Sequence, residues 1–168
     1  MELGYDDRDG KIWLDGQLVD WRNAQVHVLS HAMHYASSVF EGERAYGGKI
    51  FKSRAHSERL LASGKLIDFE IPYSVEDIEA AKEAALQANG LSDAYVRAFA
   101  WRGAGPDMGV VSSRNPVRMA VAVWSWGNYA APLLLRCCSA AAPLLLLPLG
   151  LCRCWCVPAD ALPIILWQ

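Results

Sequence analysis

The composition of the chain changes abruptly between Tyr129 and Ala130, and this break limits how much of it we expect to fold. All five cysteines lie after the break, together with eleven leucines, five prolines and a single acid, Asp160. Every lysine and all the other acids lie before it. A surface with so few charges is not typical of a soluble protein. We therefore predict one folded domain over residues 1–129, followed by a tail over residues 130–168.

The tail has the composition expected of translation in a wrong reading frame of a GC-rich gene. Residues 142–148 read Ala-Pro-Leu-Leu-Leu-Leu-Pro, and charge and motif content change at the same point. A membrane anchor is one alternative, but prolines and Arg136 interrupt the roughly 20 predominantly apolar residues that such a helix needs. A metal or redox site at residues 152–156 is another, although alternating cysteines match no usual zinc spacing. We expect an unstructured tail.

The net charge and the N-terminal sequence indicate which partners and which cellular location to expect. The net charge of −2 comes from 16 basic and 18 acidic residues without long runs, so nothing points to nucleic acid or to an anionic membrane. Residues 1–8 lack the basic flank and apolar stretch of a secretory signal. We expect a cytoplasmic protein whose partner is a small molecule or another protein.

Two glycine-containing turns predict β-hairpins. Asp15-Gly16 and Gly47-Gly48 each separate β-prone runs, and such turns need the positive φ angles that glycine tolerates. The predicted strands of these hairpins are residues 11–14, 17–21, 39–46 and 49–51.

Two helices and two further strands follow. We expect Ser53 to cap a helix that ends near Lys65, with Leu60, Leu61 and the stem of Lys65 on one side. Ser74 and Asp77 have the spacing of a capping box, which predicts a helix from Val75 to Asn89. Alternation predicts a strand over residues 93–102, and an apolar run predicts a central strand over residues 117–126. The prediction is an α+β domain with an antiparallel-rich sheet and two helices.

A phenol and a guanidinium lie on one face of the strand predicted over residues 93–102. Tyr95 and Arg97 are two residues apart on a strand, so both side chains can converge on one carboxylate. A salt bridge from Arg97 to Asp93 is the alternative. His27, His31 and His34 have no cysteine or acid at metal-ligand spacing, so we interpret them as surface or hydrogen-bonded interior residues and assign no metal.

Ordered blocks of sequence together resemble the class IV (fold-type IV) aminotransferases, and most closely their branched-chain amino-acid members. The resemblance spans about Ile12 to Tyr129. Its blocks are Ile-Trp-Leu-Asp-Gly at 12–16, residues 26–35, Ser-Val-Phe-Glu-Gly-Glu-Arg at 38–44, His-Ser-Glu-Arg-Leu at 56–60, Ala-Tyr-Val-Arg at 94–97, Met-Gly-Val at 108–110 and Trp-Ser-Trp-Gly-Asn-Tyr at 124–129.

The resemblance implies a pyridoxal-phosphate enzyme that moves the amino group of leucine, isoleucine or valine to 2-oxoglutarate. Arg59 would bind the cofactor phosphate. The other implied roles are a substrate pocket lined by Phe40, Tyr95, Trp126 and Tyr129, carboxylate recognition by Arg44, Tyr95 and Arg97, and contributions across a dimer interface from Tyr35 and Val110.

The same resemblance predicts an incomplete site. The family's Schiff-base lysine belongs to a second domain, and this chain has no lysine after Lys82. We therefore expect a truncated form that is inactive alone. Two alternatives stay open: another class IV activity, such as a D-amino-acid aminotransferase or an aminodeoxychorismate lyase, and a non-catalytic fragment that binds a full-length relative.

Overall fold

A computed structural model of the chain describes residues 4–111 and 113–126. The predicted tail, residues 130–168, and the predicted pocket residue Tyr129 lie outside these ranges. In the described part of the chain, no helix is both long enough and apolar enough to cross a membrane.

A six-stranded antiparallel sheet forms the centre of the domain, in the order β2-β1-β6-β5-β3-β4. The predicted strand over residues 117–126 is central, as expected, but it ends at Trp124. The strands are β1 (Lys11–Leu14), β2 (Gln17–Asp20), β3 (Ser38–Tyr46), β4 (Lys49–Ile50), β5 (Ala94–Arg102) and β6 (Val117–Trp124).

Both predicted hairpins are confirmed. Asp15 and Gly16 have φ angles of 47° and 93°, and Gly47 and Gly48 have φ angles of 55° and 79°. Two consecutive positive φ values give the turn type whose twist matches the strands on either side. The second strand was predicted one residue too long, because Trp21 begins a short 3₁₀ helix, where its buried indole Nε1 donates a 2.6 Å hydrogen bond to the carbonyl of Tyr5.

Within residues 4–111 and 113–126, three α-helices accompany the sheet: α1 (His31–Tyr35), α2 (Ser53–Leu66) and α3 (Val75–Ala88). The two long helices were predicted, and the single turn of α1 was not. The capping box of α3 is present, since Ser74 Oγ accepts from Asp77 N at 3.1 Å and Asp77 Oδ2 accepts from Ser74 N at 2.9 Å.

The predicted cap of α2 was wrong, and its predicted apolar side was right for Leu60 and Leu61 but wrong for Lys65. Its N-cap is Lys52, in a left-handed conformation without a side-chain cap. Ser53 lies inside the helix, where its hydroxyl accepts from Lys82 Nζ at 3.3 Å. Lys65 is exposed, because the buried side of α2 consists of Ser57, Leu60 and Gly64.

The two faces of the sheet differ in chemistry. Helices α2 and α3 pack against one face, where the small and branched residues of β5, among them Val96 and Ala98, are fully buried. Tyr95, Arg97 and Phe99, which alternate with them along β5, project from the opposite face and are only half-buried. The helix-free face therefore presents polar and aromatic side chains.

Candidate active site

Strand register brings most of the predicted pocket residues together on the helix-free face. In β3 and β5, Phe40 pairs with Phe99, Gly42 with Arg97, and Arg44 with Tyr95. Because side chains alternate between faces, these residues lie on one side of the sheet.

The predicted placement of Tyr95 and Arg97 on one face of the strand is confirmed. Arg97 Nη2 donates a 2.9 Å hydrogen bond to the hydroxyl of Tyr95, and Arg97 Cζ lies 4.3 Å from the ring centroid of Phe40. Asp93, the alternative partner, instead accepts from Ser92 Oγ at 3.2 Å. Arg97 Nε is buried and has no hydrogen-bond partner within the described ranges. This pair presents a phenol and a cation to the same space.

Tryptophans extend the aromatic wall beside Tyr95. The ring centroid of Tyr95 is 4.9 Å from that of Trp124 and 4.6 Å from that of Trp126. Arg44 Nη1 donates to the backbone carbonyl of Trp126 at 3.1 Å, so this predicted carboxylate ligand holds the wall in place. Trp124 was not predicted as a site residue, since only its pairing opposite Tyr95 reveals the shared face.

Gly42 makes room for the phenol. A Cβ atom at Gly42 would lie 2.3 Å from the hydroxyl oxygen of Tyr95 and 3.1 Å from Tyr95 Cζ. Real Cβ atoms essentially never approach a neighbour so closely, so only glycine allows Tyr95 to occupy this position beside Arg97.

A cleft of about 370 Å³ opens next to these groups. It is mostly apolar, as expected of a pocket for a branched aliphatic side chain. Its walls include Phe40, Arg97, Phe99, Trp124, Trp21 and Tyr5. Tyr5 and Trp21 were not predicted as site residues, because they reach the cleft from outside the strands that carry the recognisable motifs.

Arg59 lies on the other side of the sheet from Tyr95 and Arg97. Its Nε and Nη2 donate to Glu41 Oε1 and Oε2 at 2.7 and 2.5 Å. Glu41 is a buried residue of β3 that faces α2 and α3. The arginine thus binds a neighbouring acid, which the sequence analysis did not predict.

Glu41 is ionised although it is buried. Burial would raise the pKa of the Glu41 carboxyl, but hydrogen bonds from Arg59 and His56 outweigh this effect and lower the pKa. The hydrogen bond with Glu41 also raises the pKa of Arg59.

Tyr35 and Val110 form a separate group. Both line a pocket of about 260 Å³ together with His31 and Arg102. The hydroxyl of Tyr35 donates to the carbonyl of Met108 at 3.0 Å.

His31 is buried, as the interior interpretation predicts. Its two ring nitrogens lie 2.7 Å from Ser37 Oγ and 3.0 Å from the Gly109 carbonyl. His27 and His34 are exposed. The described ranges contain no group of three or more histidine, cysteine or acidic residues that could hold a metal ion.

Comparison with known proteins identifies the class. The family model for class IV aminotransferases matches residues 38–146, more than half of the chain. The chain therefore belongs to the class IV aminotransferase family, whose members depend on pyridoxal phosphate and act on amino and oxo acids. The match extends past Tyr129.

Its relatives include branched-chain amino-acid aminotransferases. The enzyme of Pseudomonas aeruginosa is 46% identical over 127 residues, which cover 73% of this chain and 41% of the relative. The crystal structure of the Escherichia coli enzyme aligns with a TM-score of 0.68 and 35% identity, over 73% of this chain and 41% of that chain. The Thermoproteus uzoniensis enzyme with norvaline aligns with a TM-score of 0.68 and 37% identity, over 73% of this chain and 42% of that chain.

The chain spans about two fifths of the length of these relatives. Its described part has the fold of the portion that it matches, the N-terminal part of a branched-chain amino-acid aminotransferase.

Proposed function

We propose that this chain supplies the N-terminal part of a branched-chain amino-acid aminotransferase that transfers the amino group of leucine, isoleucine or valine to 2-oxoglutarate. The observation that carries the proposal is the Tyr95–Arg97 pair beside an apolar cleft. A branched side chain fits the aromatic wall, and the acidic side chain of glutamate needs a positive group within reach. Arg97 is that group.

Each predicted residue has a role in this proposal. Phe40 and Trp126 line the substrate pocket, and Arg44 takes part in carboxylate recognition together with Tyr95 and Arg97. Tyr129, which lies outside the described residues, is assigned to the pocket by the family resemblance alone. Tyr35 and Val110 act across the interface of a homo-oligomer. The folded unit is residues 1–129, and the expected location is the cytoplasm.

The donor chemistry of Arg59 fits the phosphate of pyridoxal phosphate. Its guanidinium is half-exposed, and Glu41 uses only the Nε and Nη2 side of it. A planar guanidinium is well shaped for phosphate oxygens. When bound, the cofactor would accept the amino group from one substrate and return it to the next. This chain alone supplies binding groups and, in our proposal, does not complete the reaction.

A chimera tests the proposal. Residues 1–129 of this chain replace the matching part of the Pseudomonas aeruginosa enzyme, and glutamate formation from leucine and 2-oxoglutarate is measured. Arg97→Ala should raise the KM for 2-oxoglutarate by roughly tenfold or more, since a hydrogen bond to a charged group is lost, and should affect leucine less. Arg54→Ala, which removes an exposed arginine bound to Glu58 and Glu76, is the control.

Two results would contradict this function. A chimera that acts on D-alanine or aminodeoxychorismate but not on leucine would favour another class IV activity. An active chimera with an unchanged KM in the Arg97→Ala variant would remove the carboxylate-binding role of Arg97.

A further inference from the structure

Three donors hold the carboxylate of Glu41. Arg59 binds both oxygens through Nε and Nη2, and His56 Nδ1 lies 2.9 Å from Oε2. An ionised carboxylate only accepts hydrogen bonds, so His56 Nδ1 is the donor in this contact. The side chain of Glu41 is 4% exposed and that of Arg59 is 52% exposed. A buried acid therefore fixes the plane of a half-exposed arginine.

This arrangement leaves one edge of Arg59 available. A guanidinium has five N–H donors in one plane. Glu41 takes the Nε hydrogen and one Nη2 hydrogen, and Nη2 also lies 3.4 Å from His56 Nδ1. Nη1 makes no hydrogen bond to any residue of 4–111 or 113–126. Its two hydrogens thus remain as donors suited to an oxyanion.

We infer that Glu41 is a positioning residue for phosphate-monoester binding, which acts by holding Arg59 with its Nη1 donors ready for the anion. The inference rests on the proposed role of Arg59 in binding the cofactor phosphate. An arginine that is already ordered loses little rotamer freedom when an anion binds. An arginine that is not held in this way must lose its rotamer freedom when the anion binds, and this lowers its affinity for the anion.

Charge alone predicts a different result. The negative carboxylate of Glu41 weakens the attraction between Arg59 and a phosphate. If Glu41 acted only through its charge, it would therefore oppose phosphate binding. The variant Glu41→Asp separates the two effects. It keeps the charge but is one methylene shorter, so it cannot reach both Nε and Nη2 from the same backbone position.

The experiment titrates the full chain with pyridoxine 5'-phosphate and with pyridoxine, followed by tryptophan fluorescence. Neither ligand has an aldehyde, so surface lysines do not react with it. The wild-type chain should bind the phosphorylated ligand more tightly. Glu41→Asp should weaken that binding roughly two- to tenfold, the cost of ordering one long side chain, and leave pyridoxine binding unchanged. A melting curve for each variant monitors folding.

Variants of Arg59 and Arg54 distinguish a failure of the proposed cofactor site from a failure of the positioning role of Glu41. Arg59→Ala should abolish the preference for the phosphorylated ligand, and Arg54→Ala, with the same change of charge on the same helix, should leave it intact. If the wild-type chain shows no preference, or if Arg59→Ala keeps it, the proposed cofactor site is wrong, and the inference fails with it. If Arg59→Ala abolishes the preference but Glu41→Asp binds normally, only the positioning role of Glu41 is overturned.

Should Glu41→Asp melt before it can be titrated, His56→Ala provides the second variant. It removes one donor to Glu41 and the 3.4 Å contact of His56 Nδ1 with Arg59 Nη2, and it should weaken binding of the phosphorylated ligand in the same direction. Unchanged affinity in a folded His56→Ala protein would then overturn the inference.

Discussion

Lys82 Nζ lies 2.9 Å from both carboxylate oxygens of Glu43, and neither side chain is exposed to solvent. The ammonium also donates to the carbonyl of Ser53 at 3.1 Å. Burial raises the pKa of Glu43, although Lys82 acts in the opposite direction. This buried pair joins α3 to β3.

Breaking this pair should destabilise the domain strongly. Lys82→Met leaves a buried carboxylate without its partner, which costs about 3–5 kcal/mol of unfolding free energy. The double variant Lys82→Met with Glu43→Leu should recover most of this loss, because neither charge then needs to be buried. Denaturant unfolding measures both. Lys11→Met, which breaks the exposed pair with Asp20, should change little. A Lys82→Met protein as stable as wild type would contradict the buried pair.

Glu41 should make the domain sensitive to acid. Its pKa is lower in the folded protein than the usual glutamate value of 4.5. A group with a depressed pKa contributes stability that is present above its unfolded value and is lost as the pH falls through its folded value. The stability difference between wild type and Glu41→Gln should therefore be constant near neutral pH and shrink below about pH 4.5. Thermal melts across this range measure it, and a difference that grows on acidification would show the opposite sign of shift.

Gly42→Ala should displace Tyr95. The added Cβ would meet the Tyr95 hydroxyl at 2.3 Å, and overpacking of this kind typically costs about 1–3 kcal/mol. In a Tyr95→Phe background the nearest contact is removed, so the same substitution should cost less. Chemical unfolding of the wild type, the two single variants and the double variant gives the coupling free energy between positions 42 and 95. Gly109→Ala, whose Cβ would meet only the flexible Asp107 Oδ1 at 3.3 Å, is the control. Equal costs in both backgrounds would argue against the clash.

No lysine of this chain should form a specific covalent bond with pyridoxal phosphate. Lys82 is buried against Glu43 and Lys11 pairs with Asp20, and Lys49, Lys52 and Lys65 are exposed residues outside the cleft. Incubation with the cofactor, reduction with borohydride and peptide mapping should find only scattered labelling. Glutamate formation from leucine and 2-oxoglutarate should stay at the level of free cofactor. Stoichiometric labelling of one lysine together with turnover would overturn this prediction.

Local sequence determined the elements whose causes lie within a few residues. Asp15-Gly16 and Gly47-Gly48 specify hairpin turns because glycine and aspartate tolerate positive φ. Ser74 and Asp77 begin α3 by hydrogen bonds across three residues. Alternation along β5 was enough to place Tyr95 and Arg97 on one face. Family motifs added the expectation of a pocket and of a phosphate-binding arginine.

Tertiary structure decided which side chains meet across the sheet and between layers. Glu41 and Arg59 are 18 residues apart and Glu43 and Lys82 are 39 apart, and no local pattern pairs them. Trp124 joins Tyr95 only through the register of β5 and β6. The physical reason is that a hydrogen bond or an aromatic contact depends on distances of a few ångström, and for residues far apart in sequence those distances are set by strand register and helix packing.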